Sequence, residues 1–283
     1  MNAILTAARS GLVRARIEFR QSLTNAQDLT GYLVPTVILV TVMYFMRDAS
    51  VPGTDFSLGS RTLPSVLGMG LVFGGLVSMA TVLVVEREDG TLLRAKALPN
   101  GMTAYLIGKV VVVAAMGLVA FVLQLLPPLF FLDGIILNEP ARWVTLAWVL
   151  VLGLVATMPL GAIVGSLFSS PRNMGLVMLP LMGLIAISGI FYPISGFAGW
   201  VQGIAQVFPV YWLGLGMRSA FLPPELAAVE IGGSWRHLET FGVLGLWAVA
   251  GLVVAPFILR RMARRESGSA VAARRDRALQ QIR

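Results

Sequence analysis

Long apolar runs alternate with short charged stretches along this chain. Six runs, free of Asp, Glu, Lys, Arg and His apart from Glu239 at the edge of the last, occupy residues 29–46, 62–85, 110–132, 143–168, 173–194 and 238–259. Each holds 18 to 26 residues, enough to cross a hydrocarbon layer of about 30 Å as a helix rising 1.5 Å per residue. None alternates with the period of two that a barrel strand needs. The pattern predicts an all-α integral membrane protein with six transmembrane helices.

The segment ahead of the first run has a different periodicity. At about 100° per residue, Ile4, Leu5, Ala8, Leu12, Phe19 and Leu23 share one arc, with Arg9, Arg16 and Arg20 on its flank. That is the layout of an amphipathic helix lying in a membrane interface, its arginines reaching phosphate headgroups. It has neither the short apolar core nor the small-residue cleavage site of a signal peptide. The predicted division is an interfacial helix over 1–28, a six-span domain over 29–260 and a basic cytoplasmic tail over 261–283.

Composition agrees. The chain of 283 residues is 57% hydrophobic and 13% charged, against about 25% charged for a soluble domain. It has no cysteine and one histidine, His237, so disulfides and cysteine–metal sites are excluded and a metal site is not expected. The net charge of +8 could suggest nucleic acid, but the placement of the bases argues for a membrane and against that partner. Seventeen of 22 basic residues fall in the N-terminal segment, the loop after the second run, the turn at Arg172 and the C-terminal tail. The positive-inside bias therefore places both termini in the cytoplasm, and 20 Arg against 2 Lys, with abundant Ala, Gly and Val, suggest a GC-rich bacterial genome, so the expected location is a bacterial inner membrane. The basic tail is suited to anionic lipid.

Several chemistries have no support. There is no Walker A pattern, since Gly108-Lys109 is followed by Val110, and no zinc-protease, nucleophile-elbow or dinucleotide motif. Proton-coupled carriage needs ionisable groups at mid-depth, and the most polar mid-span side chain is Gln124. Gln124 suits either a bond to a neighbouring helix or a polar contact in an internal cavity. Gly70-x-x-x-Gly74 and Gly161-x-x-x-Gly165 allow close helix approach within one subunit or between two.

The loop over 86–101, VEREDGTLLRAKALPNG with its preceding Val85, sets three acids among three bases between two apolar runs. Its Glu86, Arg87, Glu88, Gly90, Thr91, Leu92 and Pro99 resemble the E-R-E-x-G-T-L…P loop after the second span of type-2 ABC exporter permeases, the drug and polysaccharide exporter family that includes daunorubicin-type multidrug permeases. Near the C-terminus, ISGIFYPISGFAGWVQGIAQVFPVYWLGLGMRSAF is similar to that family's signature region, with Pro193, Trp200, Pro209 and Arg218 as landmarks.

The resemblance implies a permease subunit of an ATP-driven exporter that is not itself an enzyme. ATP and magnesium would be held by a separate ABC ATPase present in two copies, with a second permease subunit completing a homodimer or a heterodimer. It implies that the loop is a coupling helix, and a single helix over 86–98 would offer Glu86, Arg87, Glu88 and Arg94 for salt bridges. It implies short re-entrant helices over 195–236 capping the outer mouth. Spans two and five would line a cargo cavity, nominating Phe73, Met79, Met178, Met182 and Phe191, with Gln124 on span three. An amphipathic drug or lipid-like cargo is expected first and a lipid-linked polysaccharide second. A secondary transporter and a membrane scaffold are the rivals from other classes.

Overall fold

The computed structural model describes residues 3–49, 57–135 and 138–265; the tail from 266 onward lies outside them. Helix α1, Ala3–Thr24, ends where Asn25 caps the next helix, its side-chain oxygen accepting from the backbone N–H groups of Gln27 and Asp28. The break makes α2, Ala26–Phe45, begin inside the segment predicted as interfacial. Helix α3, Leu58–Val72, runs through one π-turn, Phe73–Val77, into α4, Ser78–Glu88, as one rod. A short helix α5, Thr91–Lys96, precedes α6, Gly101–Leu125, and α7, Pro140–Leu167. Helices α8, Gly175–Ile187, α9, Gly199–Val207, α10, Pro209–Phe221, and α11, His237–Arg265, complete the order. The described residues are helical apart from turns and connections.

Five of these rods are long and apolar enough to cross a membrane: α2, α3 with α4, α6 with its following turn, α7 and α11. Their outward faces carry exposed apolar side chains such as Leu33, Ile38, Val144, Val151, Val253 and Phe257, a surface suited to hydrocarbon. The molecule is a multi-pass membrane protein. The fifth predicted run, 173–194, is shorter than expected. The helix stops at Ile187, where Ser188 turns its hydroxyl onto the Ile185 carbonyl and Gly189 adopts φ +66°. A side chain at Gly189 would also meet Ile194 at 2.4 Å, so the chain turns out of the helix there.

Close backbone approach holds the centre together. A Cβ on Gly161 would lie 2.2 Å from the Leu76 carbonyl oxygen, and one on Gly165 2.7 Å from that of Ala80. Both glycines thus seat α7 against the π-turn and α4 within a single chain. Gly70 faces Gln124 and Gly74 faces Gly117, both on α6. Helix α1 crosses α6 through its small residues: Ala7, Gly11 and Ala15 are buried, and a Cβ on Gly11 would sit 2.6 Å from the Ala104 carbonyl. Leu5, Leu12, Val13 and Ile17 remain exposed, with Arg9, Arg16 and Arg20 between them. The helix is therefore two-sided, packed by its small residues and not by its apolar arc.

Candidate functional site

At the end of the bundle carrying α1 and α5, the predicted single helix over 86–98 is two helices. Glu86, Arg87 and Glu88 form the last turn of α4. The chain then breaks at Gly90, whose φ of 79° favours glycine. Asp89 accepts from the Thr91 N–H at 2.7 Å and starts α5. Leu92 and Ala95 are buried and seat α5 on the bundle, while Asp89, Arg94, Lys96, Leu98 and Pro99 face outward. Leu98 is 65% exposed. The three charges expected at the start of one outward helix therefore lie behind the exposed face, because the αL glycine turns the chain after Asp89.

Two of those charges, Glu86 and Arg87, have partners inside the molecule. The Lys109 ammonium on α6, 7% exposed, meets Glu18 of α1 and Glu86 of α4 together. Arg14 donates to Glu18 at 2.6 Å one helical turn away. The buried Tyr105 ring lies 5.3 Å from the Arg14 guanidinium and 5.9 Å from the Lys109 ammonium. Arg87 Nη1 donates to the Ser166 and Phe168 carbonyls at 3.1 and 3.0 Å, capping the last turn of α7. The end of α4 is thus tied to three other helices by ionic and polar contacts. Beside the cluster a polar cavity of about 490 Å³ adds Asp28, Asn25 and Gln21 to its lining.

Burial alone would push the Glu18 carboxyl up, but hydrogen bonds from Lys109 and Arg14 outweigh it and hold that carboxyl below its ordinary value. Burial would likewise push Arg14 down, and the bond to Glu18 reverses this. The stability Glu18 supplies is therefore present at neutral pH and lost as pH falls below the ordinary carboxylate range.

At the opposite end, α10 is buried along its whole length among α3, α7 and α11. Pro209 begins it. Arg218 Nε and Nη2 hold Glu230 at 2.7 and 3.2 Å, and Nη1 donates to the Gly189 and Ile190 carbonyls at 2.9 and 3.2 Å. Arg142 of α7 donates to the Leu222 carbonyl at 2.6 Å, closing the end of α10. Arg236 reaches the Gln206 side chain at 2.7 Å and lies 4.8 Å over the Trp212 ring. Pro193 is half-buried, and Trp200 is exposed on α9. Two short helices before the last long one, α10 pinned by buried Arg142 and Arg218 and α9 by half-buried Arg236, are the arrangement at this end.

A sequence model of the ABC-2 family transporter protein matches residues 20–255, most of the chain. The chain belongs to the ABC-2 transporter family. As a permease of that family it is a membrane component of an ABC transport system, whose members typically work with an ABC ATPase. No curated protein matches it.

The six residues nominated for a cargo cavity do not converge in this ABC-2 permease. Phe73 and Gln124 line one cavity of about 360 Å³ between α2, the π-turn and α6. Met79 lines another of about 210 Å³, wholly apolar, against α6, α7 and α11. Met178 is half-buried on α8, with Met182 and Phe191 exposed. In the sequence Lys109 stands out only as a failed Walker A match, although a lone lysine inside the α6 periodicity signals a buried partner. Glu18 and Glu230 carry no sequence signal, because nothing local pairs residues 91 or 12 positions apart.

Proposed function

We propose that this ABC-2 permease exports an amphipathic drug or lipid-like cargo, driven by two copies of a separate ABC ATPase, in a complex with a second permease subunit. Six membrane crossings with both termini in the cytoplasm of a bacterium complete the reading, with α8 as the short fifth crossing. ATP binding draws the ATPases together and displaces α5. The displacement reaches the spans, and the cavity between permease halves opens outward beneath α9 and α10.

The observation that carries this reading is the division of labour in the loop after α4. Its exposed face, with Arg94, Lys96 and Leu98, offers charge and an apolar anchor to a partner surface. Behind it, Glu86 and Arg87 in the last turn of α4 are fastened to α6 and to the end of α7, and through Lys109 to α1. A passive connection needs no such buried ionic link, and positive-inside bias does not require its acids.

The reading separates two classes of variant in proteoliposomes holding the permease and its ATPase. Reversing charge on the exposed face, Arg94→Glu with Lys96→Glu, is expected to weaken complex formation and cargo-stimulated ATP hydrolysis by about tenfold or more. Glu86→Ala and Arg87→Ala are expected to keep the complex and lose the stimulation. If all four changes leave both quantities at wild-type levels, the coupling assignment is wrong.

A further inference from the structure

A groove runs lengthwise between α2, the rod of α3 and α4, and α6. Gly31, Tyr32 and Ser78 lie toward its α5 end, and Leu39, Val66 and Gln124 toward its α10 end. From Gly31 to Leu39 the helix rises about 12 Å. The volume of about 360 Å³ is at the small end for a ligand site, which runs from about 300 to 1,000 Å³. No lining residue is charged, so the groove offers nothing to an ionic head.

Two independent features mark it as more than a packing defect. Gln124 is only 9% exposed, and its Oε1 has no hydrogen-bond partner. The residue lines the groove, and a Cβ on Gly70, another lining residue, would lie 2.7 Å from that oxygen. An unpaired buried amide at this depth is costly, and native structures pair such groups. The second feature is the π-turn at Phe73–Val77, whose first two residues line the groove. Ser78 donates to the Phe73 carbonyl five residues back at 3.2 Å. Turns of this kind swing side chains out of α-helical register and recur at functional positions.

We propose that the groove binds one neutral single-chain amphipath as cargo, its chain along Leu39, Met69 and Phe73 and a head-group O–H or N–H donating to Gln124 Oε1. This deepens the exporter reading and rests on it for the word cargo. The chemistry excludes a phosphate or quaternary ammonium head, for which the groove supplies no counter-charge. It also excludes a bulky two-chain lipid on volume.

The test uses the full permease in nanodiscs and two photoactivatable probes, a diazirine-bearing C12 alcohol and its methyl ether, which has lost the donor. Labelling is expected to concentrate on the groove, with the alcohol favoured over the ether by about three- to tenfold, the worth of one hydrogen bond. Gln124→Leu should equalise the two probes. Gly31→Phe should fill the groove and lower labelling by both; a Cβ at Gly31 meets nothing within 4 Å, and an unchanged Tm checks that the variant keeps the fold. Equal labelling in the wild type, or label spread over the exposed faces of α2 and α11, would overturn the site.

With the ATPase added, the alcohol should stimulate hydrolysis in the wild type and lose that effect in Gln124→Leu. Groove labelling with hydrolysis unchanged would mark a resident lipid and overturn the cargo assignment. Failure of the exporter reading would look different, as a permease that binds no ATPase while the groove still labels.

Discussion

Arg218→Met is expected to be the most damaging single change in the molecule. Arg218 and Glu230 are 5% and 2% exposed at their side chains, so removing the guanidinium strands a carboxylate with no water to take its place. Breaking such a pair from one side costs about 3–5 kcal/mol. The variant also loses the bonds to the Gly189 and Ile190 carbonyls, each worth about 1 kcal/mol or more when the donor is charged. A fall in Tm of roughly 10 °C or more is the expected result, read by tryptophan fluorescence in detergent. The paired change Arg218→Met with Glu230→Met removes the stranded charge and should recover most of the loss. A double variant no better than the single one would show that the ion pair is not what holds this end.

The second large effect is expected at Lys109. Its ammonium is the shared partner of Glu18 and Glu86, and Lys109→Met leaves two acids facing each other across three helices. The adjoining polar cavity lets water reach them, which puts the expected cost near the lower end of the range for broken buried pairs, about 3 kcal/mol. Lys109→Met with Glu86→Gln should regain much of that stability. It should not regain cargo-stimulated ATP hydrolysis, because the ionic tie between α4 and α6 is still missing. Thermal unfolding and hydrolysis measured on the same preparations check both halves, and recovery of hydrolysis in the double variant would remove Lys109 from the coupling route.

Much of the fold was legible because a bilayer constrains sequence so strongly. Five apolar runs became long helices, three of them within four residues of their expected ends, while α6 starts nine residues ahead of its run and α11 ends six residues beyond its own. The fifth run failed at Gly189, since hydropathy measures apolarity and is blind to an αL turn inside an apolar stretch. The π-turn was hidden for a similar reason: Phe73–Val77 reads as ordinary apolar helix. Charges were the harder problem. Arg218 stood out inside an aromatic segment, yet its partner Glu230 sits in a Pro- and Gly-rich connection with no periodicity to place it. In the loop after α4, sequence pattern showed three acids and three bases but not their directions. Gly90 decides that Glu86 looks inward and Arg94 outward, and its backbone angle is a consequence of how Leu92 and Ala95 seat the next helix.

The contact proposed between the exposed face of the loop after α4 and an ABC ATPase is open to direct cross-linking. The chain has no cysteine, so Leu98→Cys introduces a unique thiol on that face. A bifunctional thiol-to-amine reagent should join it to the ATPase in membranes, with the yield changing when ATP is bound. Leu179→Cys, on an exposed apolar position of α8, should give no such product. A Leu98→Cys chain that is fully reactive to a small thiol probe, yet yields no ATPase adduct with or without ATP, would rule that contact out.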